Sequence, residues 1–192
     1  ALALCAVAMV ATCKIMFAPL TEGWLWLMWA GLVGIVASVT VIFITQYYTE
    51  SRFKPTKSIA EASRTGPATT IVAGMSVGFE TIMPTALVIA VALGLTYWFG
   101  TLSGLDLPWW VSGAYGTAIA TMGMLMTCPF ILAEDTFGPI TDNANGINEF
   151  TKAGDKIRRV TDHLDAAGNT TKALTKGYAM VSAGLAGFLL FQ

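Results

Sequence analysis

The chain has 192 residues, of which 55% are apolar and 12% charged, with a formal net charge of −1 and a mean hydropathy of +0.63. A soluble domain carries about a quarter charged residues, so the composition argues against a soluble enzyme, a disordered tail or, with no basic excess, a nucleic-acid binder. Cys5, Cys13 and Cys128 lie in apolar stretches without CxxC spacing, which leaves neither a disulfide framework nor a zinc site.

What remains is an integral, multi-pass membrane protein, expected to be all-α. A spanning helix needs about 20 mainly apolar residues, and about five such runs follow one another here. Residues 1–17 form a short first run and 23–45 a clear second. The third covers 67–99 and is interrupted by Gly78, Glu80 and Pro84; the fourth covers 111–133 and the fifth 173–191. None alternates with period two, so the expected architecture is a polytopic transmembrane helix bundle and not a barrel. The sequence opens on Ala1 and is apolar at once, with no basic leader or cleavage-site pattern, so it is expected to be a piece of a longer protein. No domain boundary stands out, and 1–192 is expected to belong to one membrane domain.

Charge sets the orientation. Arg52, Lys54, Lys57 and Arg64 follow the second span. Lys152, Lys156, Arg158, Arg159, Lys172 and Lys176 lie between the fourth and fifth spans or at the start of the fifth. Only Lys14 falls elsewhere; the segments 19–22 and 100–110 carry no Lys or Arg. The positive-inside rule places loops at about 46–66 and 150–172 in the cytoplasm, with Trp24, Trp26, Trp98, Trp109 and Trp110 as an aromatic belt on the opposite side. Gly74 and Gly78, with Gly113, Gly116, Gly123, Gly184 and Gly187, read as small faces for close helix packing.

Chemistry concentrates in two stretches, 134–150 and 162–177. Asp135, Asp142 and Glu149 are spaced by seven, nearly two α-helical turns and a rise of about 10 Å per step, so they fall on one stripe. Pro139 cannot donate to the carbonyl of Asp135, which predicts a kink where the stripe begins. Such a stripe suits a hard cation, Mg²⁺ where phosphate is the partner; a solvated acidic face is the plainer alternative. In the second stretch, Asp165, Asn169, Lys172 and Lys176 follow i, i+4, i+7, i+11 on one helical face, with Asp162 nearby. Lys176 sits where the apolar run has begun, a costly place unless it lines a polar cavity. The two clusters together suggest a polyanion site bridged by metal at the cytoplasmic mouth of the bundle. Glu80, inside the third span, is a candidate for an ion pathway. His163, the only histidine, lies in a charged segment and reads as a solvated loop residue. No P-loop signature and no Ser/His/Asp, Cys/His or His-metal constellation is present.

These residues carry a resemblance. The run Asp135-Thr136-Phe137-Gly138-Pro139-Ile140-Thr141-Asp142-Asn143-Ala144-Asn145-Gly146-Ile147-Asn148-Glu149 resembles the DAYGPIxDNAGGIAEM signature of the membrane-bound inorganic pyrophosphatases. Thr161-Asp162-His163-Leu164-Asp165-Ala166-Ala167-Gly168-Asn169-Thr170-Thr171 resembles that family's TDxLDAxGNTT. Tyr47-Tyr48-Thr49, Ser63-Arg64-Thr65-Gly66, and Gly78-Phe79-Glu80 leading to Pro84 fall in the family's order. The resemblance implies hydrolysis of Mg-pyrophosphate coupled to pumping of H⁺ or Na⁺ through a homodimeric helix bundle. It implies that Asp142 binds the Mg²⁺ bridging pyrophosphate, that Asn169 completes that shell, and that Asp135 lies at the base of the site. Lys176 matches the lysine of the family's TKG or GKG ending.

Lys172 after Asn-Thr-Thr, with Thr175 three residues on, matches the K⁺-independent subfamily, where K⁺-dependent members have Ala followed by a bound K⁺. A tethered ammonium beside pyrophosphate can supply the charge that K⁺ would bring, and the implied ion is H⁺. The membrane is either a bacterial plasma membrane or that of an acidic organelle such as a vacuole. Asn145, Asn148 and Phe150 depart from the signature, and Gln46 stands where many members have a Glu tied to ion coupling, so the coupling carboxylate is expected elsewhere. The family's other acidic motifs are not in this chain, which alone is expected to be inactive. A secondary cation transporter, a Na⁺-pumping pyrophosphatase and a non-enzymatic membrane subunit are the competing readings.

Overall fold

The computed structural model describes residues 1–191, and among them there is no strand. The helices are α1 (Leu2–Met16), α2 (Gly23–Thr49), α3 (Lys54–Ala62), α4 (Pro67–Glu80), α5 (Ile82–Thr101), α6 (Trp109–Leu125), α7 (Cys128–Asp135), α8 (Phe137–Thr151) and α9 (Asp155–Leu190), with a 3₁₀ turn at Ser63–Thr65. Gly66, at φ +135°, links that turn to α4 in a backbone region that side chains avoid.

Prolines explain three of the breaks. Pro84, Pro129 and Pro139 have no N–H for the carbonyl four residues back, and those residues are Glu80, Leu125 and Asp135. Each is the last residue of a helix: α4, α6 and α7 respectively. The kink expected at Asp135 is therefore present as a break at Thr136.

The apolar runs match the expected spans. Gly23–Thr65, Pro67–Thr101 and Asp155–Leu190 are helical runs long and apolar enough to cross a membrane, and α6 with the following broken segment makes a fourth. The first span, expected to be truncated, is α1, an apolar helix of 15 residues.

The chain divides into two compact units. The first comprises Ala1–Val41, Ile82–Cys128 and the residues from Tyr178 on. Its interior is closed by small residues. Gly34 sits against the Ala120 backbone, Gly123 against Gly31, and Gly100 against Gly116, so helices approach backbone to backbone. Leu27, Ala30, Ala120, Met124 and Leu185 are fully buried between them, and the Tyr178 hydroxyl donates to the Met124 carbonyl at 2.7 Å. Cys5, Met9 and Cys13 of α1 pack on Met28 and Ile35 of α2. Trp26 meets Phe99 and Tyr97 meets Trp109 at ring separations of 5.7 and 6.4 Å, near helix termini. Not every glycine packs: a Cβ on Gly74, Gly78 or Gly187 would meet nothing within 4 Å among the described residues.

The second unit comprises Ile42–Thr81 and Pro129–Gly177. Here the two segments expected as loops are largely helical. In 46–66, α2 continues to Thr49 and α3 opens with Pro55 in its first turn. In 150–172, the chain leaves helix only at residues 152–154, where Lys152 adopts a left-handed conformation (φ 51°) and the Ala153 N–H donates to the Asn148 carbonyl at 3.0 Å. That cap ends α8 and reverses the chain into α9, whose first turn carries Asp155 at the positive end of the helix dipole. His163 is thus a helical residue, exposed on α9. High charge reads as loop, but a polar helix is stable when one of its faces is covered by a neighbour.

Candidate functional site

α8 and α9 form an antiparallel hairpin, and its contacts recur every three or four residues along α9. Near the turn, Arg158 forms an ion pair with Glu149. The Thr161 hydroxyl donates to Asn145 Oδ1 at 2.9 Å, and Asn145 Nδ2 donates to Asp162 Oδ1 at 3.2 Å. Gly168 packs against the Thr141 hydroxyl and Gly138. Lys172 Nζ donates to Asp142 Oδ2 as an ion pair. Past the end of α8, the Thr175 hydroxyl donates to Asp135 Oδ1 at 2.5 Å.

The spacing of seven at Asp135, Asp142 and Glu149 is therefore a seam facing α9. Each carboxylate has its own partner there: Thr175, Lys172 and Arg158. The three carboxylates are thus engaged one by one along α9, while Asp142 and Glu149 keep 44% and 51% of their side-chain surface. Among the described residues no group of three or more His, Cys, Asp or Glu could hold a metal.

The environment changes along the seam. Arg158 and Glu149 keep 52% and 51% of their side-chain surface, whereas Lys172 keeps 24% and Asp142 44%. Ion pairs as open as the first contribute little, about 0–1 kcal/mol. The pair at Asp142 is held beside the glycine crossing, where Gly138 lies against the Lys172 stem and the Gly168 carbonyl. Gly168 is required by close approach: a Cβ there would collide with the Thr141 hydroxyl. Gly168→Ala is accordingly expected to destabilise the hairpin by about 1–3 kcal/mol, read as a lowered midpoint in thermal unfolding of the detergent-solubilised protein.

The predicted site residues divide by position. Asp135, Asp142, Lys172 and Thr175 are brought together in pairs across the seam. Asn169 and Lys176, each one position beyond a seam residue, are exposed and make no hydrogen bond or ion pair among the described residues. Asp165 is different: its Oδ1 has no solvent contact and no hydrogen-bond partner. Glu80, the last residue of α4, is exposed with the Tyr48 hydroxyl against it, and no ion pair or hydrogen bond joins it to the seam. Gln46 donates to Glu50 at 2.8 Å, placing a carboxylate one turn beyond it. Asn145, which departs from the family signature, forms a polar rung with Thr161 and Asp162. The sequence signal for that rung is two polar positions, 145 and 161, nearly equidistant from the turn at 152–154; its counterpart at 135 and 175 is too distant to read that way.

The chain matches the inorganic H⁺ pyrophosphatase family over residues 1–192. It is 56% identical over 163 residues to K(+)-insensitive pyrophosphate-energized proton pump 2 of Moorella thermoacetica, a match covering 85% of this chain and 23% of that protein. It is 53% identical over 163 residues to the K(+)-insensitive pyrophosphate-energized proton pump of Caldanaerobacter subterraneus, again 85% and 23%. It is 48% identical over 175 residues to pyrophosphate-energized membrane proton pump 3 of Arabidopsis thaliana, covering 89% of this chain and 22% of the other. The chain thus spans about a quarter of the length of the curated relatives it matches.

Proposed function

The chain belongs to the inorganic H⁺ pyrophosphatase family, and on that premise we propose that the intact protein hydrolyses Mg-pyrophosphate to two phosphates, couples this to H⁺ translocation across its membrane, and needs no K⁺. The observation that carries the reading is the pairing of Lys172 with Asp142 beside the pairing of Thr175 with Asp135. It places a fixed ammonium on the carboxylate that would face the polyanion.

The donor set fits Mg²⁺. Asp142, Asn169 and Asp165 offer carboxylate and amide oxygens, with no thiolate or imidazole beside them, and hard oxygens are what Mg²⁺ takes. The buried Asp165 oxygen without a partner agrees with an oxygen-rich shell left incomplete by the protein alone. Asp142 and Asn169 would hold the ion, and the bound ion would neutralise pyrophosphate charge and polarise the bridging oxygen.

The chain's own residues supply orientation and charge. Asp135, held by the Thr175 hydroxyl, would form the base of the site, and the carboxylates that activate the attacking water would come from the rest of the protein. Lys172, paired with Asp142, would present its ammonium to the substrate oxygens, and Lys176, with no protein partner, would meet the departing phosphate. The bridging P–O bond breaks, the water oxygen bonds to phosphorus, and the water's proton is released for transport. The remaining acidic groups come from the rest of the protein, a homodimer in this reading, so the segment by itself is expected to lack hydrolysis.

A secondary transporter whose acidic stripe lines an ion entrance is disfavoured by the seam, since each of those carboxylates is engaged by α9. The test uses inverted membrane vesicles containing the full-length protein. Pyrophosphate with Mg²⁺ and no K⁺ is expected to acidify the lumen, and hydrolysis without acidification would overturn the coupling to H⁺.

A further inference from the structure

The α9 seam runs through positions 158, 161, 165, 168, 172 and 175, and five of the six are matched by α8 or Asp135: Glu149, Asn145, Thr141 with Gly138, Asp142, and Asp135 itself. Asp165 is the exception. It lies between the Asn145 rung and the glycine crossing, its Oδ1 is out of contact with solvent, and no donor reaches that atom. Asp165 as a residue is part-exposed, but a carboxylate oxygen shielded from solvent without a partner is costly and is usually completed by a water, an ion or a ligand. Nothing else in the hairpin serves it: Arg158 is taken by Glu149 and Asp162, and Lys172 by Asp142.

Four residues on, Asn169 lies one turn away on the same side of α9, with its amide exposed and unpaired. Side chains at i and i+4 stand about 5–6 Å apart at Cβ. Their oxygens can therefore converge on one cation at the metal–oxygen distance of about 2.1 Å that Mg²⁺ requires. From this we propose that Asp165 is a cation-binding residue of the site, giving its buried oxygen to a divalent ion that it shares with Asn169. The proposal rests on the reading of the hairpin as a Mg-pyrophosphate site and adds a ligand to it. On the turn side of Asp165, Thr161, Asn145 and Asp162 satisfy one another as a polar rung.

The experiment uses the full-length protein in detergent with Mn²⁺ alone as the probe, its binding followed by electron paramagnetic resonance and by metal-dependent thermal shift. Asp165→Asn keeps the shape and removes the charge. It is expected to weaken one Mn²⁺ site at least about tenfold, while the metal-free melting midpoint stays the same or rises, since the amide can donate where the carboxylate could not. Unchanged Mn²⁺ affinity with a lowered metal-free midpoint would assign Asp165 a packing role and overturn the proposal. Asp142→Asn runs in parallel. If it weakens Mn²⁺ and Asp165→Asn does not, the proposal fails and the site reading stands; if neither does, both fail. Should Asp165→Asn not accumulate, Asp165→Ser is read in the same way.

Discussion

Replacing Asp142 with alanine in the intact protein is expected to lower Mg-dependent phosphate release from pyrophosphate at least about a hundredfold, since losing even an outer-sphere partner of a metal costs 10- to 100-fold. Two effects act together. The carboxylate that would hold the cation is gone, and Lys172, one-quarter exposed, loses its counter-ion beside the glycine crossing. The second effect alone would alter packing, so a control is needed within the same hairpin. Glu149 and Arg158 form an ion pair two turns away whose members are about half exposed. Breaking it by Glu149→Ala should cost no more than about 1 kcal/mol of stability and leave hydrolysis near the parent rate. Phosphate release measured for both variants separates chemistry at Asp142 from hairpin integrity, because only the first should fall steeply. Equal losses would mean that the hairpin acts as a scaffold and its chemistry lies elsewhere.

On the proposed K⁺-independent function, Lys172→Ala in the intact protein is expected to make hydrolysis depend on K⁺. The parent carries its monovalent charge on a tether, already placed on Asp142. Without it, the proposed site would keep its divalent ion on Asp142 but lose the monovalent charge beside it, and the developing charge on the leaving phosphate would be less well met. Removing one such stabilising group typically costs 100- to 1,000-fold, so a loss of at least about tenfold in K⁺-free buffer is a cautious expectation. Added K⁺ is expected to restore that charge, in the space the truncated side chain would leave beside Gly138. Lys172→Arg is expected to rescue only in part, since a planar guanidinium cannot take the position of a compact ammonium on a flexible stem.

The helical architecture was legible because apolar runs of spanning length and the prolines that interrupt them are local signals. Pro84, Pro129 and Pro139 even locate the breaks, each leaving its carbonyl partner as a helix's final residue. The polar hairpin was harder. Residues 150–172 are charged enough to read as loop, and only the cover that α8 gives to Gly168, Thr161 and Lys172 makes helix the better state. The spacing of Asp135, Asp142 and Glu149 was visible in the sequence, but a spacing cannot tell an ion-binding stripe from a seam. That depends on partners at Lys172, Thr175 and Arg158, up to 40 residues away. The isolated Asp165 oxygen was invisible for the same reason: lacking a partner is a property of the packed hairpin. Gly74 and Gly78 show the converse, a packing pattern in sequence that meets no neighbour among the described residues.

In the proposed function, Lys172 is the built-in cation of a pyrophosphate site on this hairpin. A K⁺ titration of phosphate release tests it most directly, run on the full-length protein and its Lys172→Ala variant side by side, with Mg-pyrophosphate saturating and Na⁺ held constant. The parent is expected to give a flat line, and the variant a low K⁺-free rate that climbs with K⁺ toward the parent's. Two flat lines at equal rates, or a parent that itself rises with K⁺, would contradict it.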